Sequence, residues 1–297
     1  AAMVLHYGQS IFEGLKAYRG TDDKIYLFRP TDNLKRMNDS ATRMCMPEIP
    51  VDVVFSAMKK LVALDKSWVP RAEGATLYIR PAMIASEAGL GVRPAKQYLF
   101  FIINCPVGAY YPEGFNPVKI FVTDKYVRAV AGGVGDVKTG GNYASSIMAA
   151  VEAQELGYTQ VLWLDAIERR YIEEVGTMNI FFLIGDELIT PPLTGSILPG
   201  ITRDSVLRLT KDWGFKVTEK RITIDDVLSA NENGSLQEVF GTGTAAVISP
   251  VGEINYKGQI CTINNGKTGE LAQKLFDELQ AIQNGYQKDP YNWVVEV

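Results

Sequence analysis

The chain has 297 residues, 46% of them hydrophobic and 22% charged, with a net charge of −4: enough apolar material for a large core and two domains, and no basic face for nucleic acid. Three widely spaced cysteines, Cys45, Cys105 and Cys261, make neither a disulfide framework nor a metal cluster, so no metal site is expected and a reducing, cytoplasmic setting fits. A single histidine, His6, excludes a Ser-His-Asp triad and a zinc site with two histidines, which leaves proton transfer to lysine, tyrosine or carboxylates.

In chain order, KIYLFRP (24–30) alternates as a strand and ends in proline, and TDNLKRMNDSATRMC then repeats apolar residues at helical spacing, with Thr31 and Asp32 as N-cap candidates. A second amphipathic helix is expected over 51–68, and strands over 76–84 and 97–107. PVGAYYPEGFNP (106–117) has the composition of a connection, so a small domain is expected over 1–105, an interdomain loop over 106–116 and a larger domain over 117–297. In the latter, KIFVT, QVLWLD, MNIFFLI and ELITPP read as strands, with helices from about Tyr143 to Leu156, from near Ile201, and from about Gly266 to the end of LAQKLFDELQAIQ. Helices scattered among strands without a βαβ rhythm predict an α+β fold. No apolar run reaches the roughly 20 residues of a membrane span, and residues 1–20 lack the pattern of a signal peptide.

GGVGDVKTGGNY (132–143) sets Lys138 among five glycines. Its spacing approaches a nucleotide phosphate loop, but Val137 stands where that loop needs a second glycine. The other reading is a lysine with room to reach a carbonyl, able to act as nucleophile and then as base once partly desolvated; a solvent-exposed loop lysine is the plain alternative. In SILPGITRDSVLRL (196–209), Pro199 and Gly200 precede a helix whose first amides and dipole suit a phosphate. FGTGTAAVISP (240–250) reads as a second Gly/Thr loop, offering Thr242 and Thr244. Glu173 and Glu174, ahead of an apolar strand, fit either a partner for a protonated pyridine nitrogen or an exposed acidic pair.

Taken together, LHYGQSIFEGLKAY, YLFRPTDNLKRM, LYIRP, LGVRP, CPVGAYY, GDVKTGGNYASS, VLWLDAIERRYIEEVGTMNIFF, ILPGITR and FGTGTA follow one another as in branched-chain amino acid aminotransferases of the pyridoxal-phosphate fold type IV group, which the whole chain resembles. The resemblance implies a two-domain α+β fold like that of D-amino-acid aminotransferase, with pyridoxal 5′-phosphate at the domain interface. It implies that Lys138 forms the internal aldimine and shuttles the Cα proton, that Glu174 partners the pyridine nitrogen, that Tyr143 bonds the phenolic oxygen, and that Arg36, Ile201, Thr202 and Thr244 hold the phosphate.

For the substrate, the resemblance implies Thr244, Ala245 and Tyr78 around the α-carboxylate, Tyr7, Phe12, Tyr110 and Thr177 around the aliphatic side chain, and Arg80 for the second carboxylate of glutamate. Leu90 and Val92 would reach a neighbouring subunit's site, making a homodimer the smallest expected assembly. The implied reaction moves the amino group of leucine, isoleucine or valine to 2-oxoglutarate. Ala246 and Ser249 stand where mammalian members carry a Cys-x-x-Cys pair, which points to a bacterial type, and the chain starts almost on LHYGQSIFEG, which suggests a truncated N-terminus. D-amino-acid transamination, aminodeoxychorismate lysis and a non-catalytic binding protein remain as rivals.

Overall fold

The computed structural model describes residues 1–108 and 115–297. The first part runs α1 (Val4–Tyr7), β1 (Ser10–Phe12), β2 (Leu15–Arg19), β3 (Ile25–Phe28), α2 (Pro30–Arg43), α3 (Val51–Leu64), β4 (Thr76–Ala85) and β5 (Tyr98–Val107). It continues with β6 (Val118–Val122), α4 (Gly140–Ala144), α5 (Ile147–Glu155), β7 (Gln160–Leu164), β8 (Ile172–Val175), β9 (Met178–Ile184) and β10 (Glu187–Thr190). The chain closes with α6 (Ile201–Asp212), β11 (Lys216–Glu219), α7 (Ile224–Glu232), β12 (Leu236–Gly243), β13 (Val247–Tyr256), β14 (Gln259–Thr262), α8 (Glu270–Gln283) and β15 (Val294–Glu296).

Two compact units form, both discontinuous in sequence. Unit 1 is Ala1–Tyr110, Val137–Gly141 and Glu278–Val297; unit 2 is Tyr111–Asp136 and Asn142–Asp277.

Unit 1 carries an antiparallel sheet in the order β1-β4-β2-β3-β15, with β5 along the other side of β4. The pleat sorts its side chains. Ile11, Leu15, Ala17, Leu27, Leu77 and Ile79 face a core shared with Leu34, Met37 and Ala41 of α2 and Val54, Met58 and Val62 of α3. Each large side chain buried there contributes about 1.5–3 kcal/mol. Cross-strand partners share a face, so Phe12 opposite Ala82 and Lys16 opposite Tyr78 join Arg80 on the face turned away from that core.

Unit 2 is built on strands in the order β11-β10-β9-β12-β13-β6-β7-β8, and β8 pairs back onto β9, so six strands close on themselves. Val122, Leu162, Val175, Met178, Phe182 and Val239 fill part of that core. Closure leaves no open edge along these six strands. The opposite faces of the same strands then carry the polar residues described below.

Several local expectations are corrected. Helix α2 starts two or three residues earlier than Thr31 or Asp32 would cap it: Arg29 is the N-cap, at φ 50°, Pro30 fills the first turn, and Asp32 instead pairs with Arg29 Nε at 2.7 Å. The helix expected from Tyr143 to Leu156 begins at Gly140 and breaks after Ala144, where Ser145 and Ser146 hydroxyls donate to the carbonyls of Asn142 and Tyr143 at 3.1 and 2.8 Å. Helix α8 starts at Glu270 rather than Gly266, because Asn264–Gly266 form a separate 3-10 turn with Asn265 at φ 53°. Most of FGTGTAAVISP is paired strand rather than loop, with only 244–246 left as the β12–β13 turn. Strand β5 runs to Val107, as the strand expected over 97–107 does, so Pro106 and Val107, where that expectation overlaps the connection, are strand.

Candidate functional site

In unit 1 the centre of the arrangement is Lys138, and its backbone is held on both sides. Phe12 N–H donates to Lys138 O at 3.1 Å, Lys138 N–H donates to Ser40 Oγ at 3.0 Å, and Thr139 Oγ1 donates to Ser10 O at 2.7 Å. A bridge between Ile11 and Thr139 makes this segment a short addition to β1. The glycine-rich run thus presents a fixed lysine and not a mobile one.

The Lys138 ammonium lies 5.0 Å from the centre of the Phe12 ring, and the Arg80 guanidinium lies 4.6 Å from the same ring and 5.1 Å from that of Tyr78. The lysine residue is partly exposed, but desolvation at the amino group, reinforced by Arg36 and Arg80 and opposed by Glu13 and Tyr78, pulls its pKa down to about 8. At pH 7 roughly one such group in ten is a neutral amine. Arg80 Nη2 donates to Tyr78 Oη at 2.9 Å, while the buried Arg80 Nε has no partner among the described residues. A guanidinium edge with an unused buried donor suits a carboxylate.

Arg36 projects from α2 and is 6% exposed. Its Nε and Nη2 pair with Glu13 Oε1 and Oε2 at 2.8 and 2.9 Å, and the Gly14 amide donates to Glu13 Oε2 at 3.2 Å. Glu13 is fully buried. Its position was not singled out in the sequence, although it sits inside the SIFEG motif. Tyr7 is half exposed, and its hydroxyl donates to the Leu90 carbonyl; Leu90 and Val92 are strongly exposed. Tyr110 lies outside the described residues.

In unit 2 the organising residue is Glu174, 2% exposed. Arg128 Nε pairs with its Oε2 at 2.7 Å, and Oε1 accepts from Asn179 Nδ2 at 3.2 Å and Leu198 N–H at 2.9 Å. Arg128 is fixed in turn by the carbonyls of Ser196 and Gly135, at 2.8 and 3.2 Å. Of the open readings of the Glu173–Glu174 pair, the exposed one is corrected: both side chains are buried. Arg128 gave no sequence signal, since only the fold brings it to β8, whereas Asn179, a polar residue in an apolar strand, could have been found.

Register places Glu174 opposite Asn179 and Asn179 opposite Thr242, so the three share one face. Thr242 is 1% exposed and its hydroxyl has no partner among the described residues. Asn179 Nδ2 also donates to Leu198 O at 2.9 Å, tying the segment before α6 to the same row. Helix α6 begins after Gly200 with no side-chain cap, so Ile201 and Thr202 start its first turn next to that row. Thr244 and Ala245 form the half-buried β12–β13 turn two residues beyond Thr242, Tyr143 is half-buried on α4, and Thr177 is exposed at the β8–β9 turn. The structure therefore groups Phe12, Tyr78, Arg80, Arg36 and Lys138 in unit 1, and Glu174 with the α6 start in unit 2.

Residues 10–254 match the family model described as amino-transferase class IV. Branched-chain-amino-acid aminotransferase 2 of Bacillus subtilis (strain 168) is 56% identical over 297 residues, covering all of this chain and 82% of the relative. A branched-chain amino acid aminotransferase from Escherichia coli has 28% identity and a TM-score of 0.84, covering 99% of this chain and 91% of that one. A T.th. branched-chain amino acid aminotransferase with pyridoxamine 5′-phosphate has 29% identity and a TM-score of 0.84 over the same shares, 99% and 91%. A match of this length and identity makes the chain a class IV aminotransferase of the branched-chain-amino-acid aminotransferase family.

Proposed function

We propose that the chain transfers the amino group of leucine, isoleucine or valine to 2-oxoglutarate, using pyridoxal 5′-phosphate. The observation that carries the reading is the fixed Lys138 amine with its pKa pulled down to about 8. It is supported by the relatives' names and by the pyridoxamine 5′-phosphate of the T.th. relative.

The residues present fit the cofactor. Unit 2 offers a buried carboxylate for a pyridinium in Glu174, a buried hydroxyl in Thr242 without a partner among the described residues, and a helix start without a side-chain cap for a phosphate; unit 1 offers the amine and Arg36. On this assignment Lys138, Arg36, Tyr143, Glu174, Ile201, Thr202 and Thr244 hold it. When bound, the group supplies the electron sink for the substrate's Cα carbanion.

What remains for the protein is positioning and one proton. Lys138 Nζ would move the proton between the substrate Cα and the cofactor C4′ in each half of the cycle, a task suited to an amine whose pKa lies near working pH. Arg128 and the Leu198 amide hold the Glu174 carboxylate in one orientation, so it can face a ring nitrogen. Glu13 locks the Arg36 fork in one orientation. The α-carboxylate is assigned to Thr244, Ala245 and Tyr78, the aliphatic chain to Tyr7, Phe12, Tyr110 and Thr177, and the second carboxylate of glutamate to Arg80, whose Nε is open to it.

A homodimer whose subunits exchange the Leu90–Val92 loop completes the proposal, with the domain division at 106–116, in the cytoplasm. Among the described residues no helix is long and apolar enough to cross a membrane. The test is amino transfer from L-leucine to 2-oxoglutarate by the purified protein loaded with pyridoxal 5′-phosphate, compared with D-alanine as donor. Glutamate formed from L-leucine, and little from D-alanine, is expected; the reverse preference overturns the substrate assignment.

A further inference from the structure

A cavity of about 250 Å3 lies in unit 2, and none of its lining residues is assigned above to cofactor or substrate. Val130, Ile172, Pro191 and Ile197 give it an apolar wall. Glu173 also lines it: the residue is 9% exposed, its Oε1 accepts from Ser196 Oγ at 2.5 Å, and its buried Oε2 has no partner among the described residues. Arg221, half exposed, stands on the lining with its guanidinium 3.4 Å from the centre of the Tyr171 ring and only a 3.5 Å approach to Glu168. Asp165 is not available to a ligand in the same way, since its carboxylate accepts from the amides of Ile167, Glu168, Arg170 and Tyr171.

A buried carboxyl oxygen without a donor carries a desolvation cost that a ligand's N–H groups would remove. The same desolvation pushes the Glu173 pKa up. A cationic donor is the group that reverses this, and the aliphatic wall calls for an apolar body attached to it. Arg221 supplies the opposite charge, suited to a carboxylate. The volume, against the roughly 150 Å3 that encloses benzene, accepts a molecule of about nine heavy atoms.

We infer that this cavity is a second binding site for an apolar α-amino acid zwitterion, its ammonium on Glu173, its carboxylate on Arg221 and its side chain on the aliphatic wall. The site is coupled to the row described above, because the Ser196 that holds Glu173 also accepts from Arg128 at 2.8 Å, and Arg128 pairs with Glu174. Occupancy therefore bears on the placement of Glu174. The inference rests on the chemistry of the cavity and stands whichever amino acid is turned over at Lys138.

The experiment is calorimetric titration of the holoenzyme with N-methyl-L-leucine, a secondary amine that keeps ammonium, carboxylate and aliphatic chain but cannot give up its nitrogen by transamination. Binding with Kd on the order of 1 mM is expected for a ligand of this size. It should weaken at least about tenfold in Glu173→Gln and in Ala166→Trp, whose indole takes up space at the lining, and about three- to tenfold in Arg221→Ala. Turnover by Ala166→Trp and Arg221→Ala confirms that they are folded. Binding at the Lys138 site would survive all three substitutions, and that result overturns the inference, as does the absence of binding to the unmodified enzyme up to about 50 mM.

Discussion

The amino group of Lys138 should titrate near pH 8 in the folded chain and near its ordinary 10.5 in the unfolded one. At pH 7 those values leave roughly one group in eleven neutral when folded and one in three thousand when unfolded, so folding should raise the reactive fraction about 300-fold. The assay is trace acetylation in the absence of aldehydes and ketones, with the extent of modification at Lys138 read by mass spectrometry across pH 6 to 11, in buffer and in urea. Arg36→Met should move the folded midpoint upward, because Arg36 is the largest charge contribution holding it down. The sign for stability follows. Below pH 8 the folded state carries the full cost of the buried ammonium; as pH rises from 8 to 10.5 the unfolded chain binds more protons, and stability rises by up to about 3 kcal/mol. A midpoint near 10.5 in the folded protein would refute the reasoning, since it would mean the amine is solvated like any surface lysine.

Other consequences are separable from that one. Lys16, 7% exposed on β2, has its pKa pulled to about 8 by burial, so Lys16→Met should stabilise the protein by about 1–3 kcal/mol at pH 7 and confer nothing above pH 10.5, as measured by urea unfolding at both values. Gly14→Ala places a methyl group against the Tyr78 hydroxyl, which must swing away from Arg80; KM for 2-oxoglutarate should rise about tenfold with the unfolding midpoint little changed. Arg128→Met strips the buried Glu174 of its cation and should cost about 3–5 kcal/mol in urea unfolding, with weakened retention of pyridoxal 5′-phosphate on dialysis.

Strong apolar runs were legible because they decide their own structure: MNIFFLI is β9 to the residue, QVLWLD contains β7, and KIFVT overlaps β6 in all but its first residue. Strands β1, β2 and β8 were not, being three to five residues long, with glutamate, lysine or serine where they serve the site. The closure of β8 onto β9 and the passage of 137–141 into unit 1 depend on pairings far apart in sequence, which no local pattern reports. Lys138 and Glu174 stood out by composition, and the family resemblance supplied their roles. Glu13 and Arg128 were missed for a different reason: each acts by orienting another charged residue, and that shows only as a distance. Glu173 was legible only as one half of the Glu173–Glu174 pair, whereas its unused oxygen became visible once the cavity did.

On the proposed function, the amine of Lys138 is the group without which transfer stops. Turnover of L-leucine with 2-oxoglutarate, together with the visible spectrum of the pyridoxal 5′-phosphate-loaded protein before and after L-leucine, should be compared between the unmodified chain and Lys138→Ala. The account predicts a cofactor band that shifts with leucine and steady glutamate production in the former, and a folded but inactive protein in the latter, with rates lower by several orders of magnitude. Turnover by Lys138→Ala at the unmodified rate would contradict it.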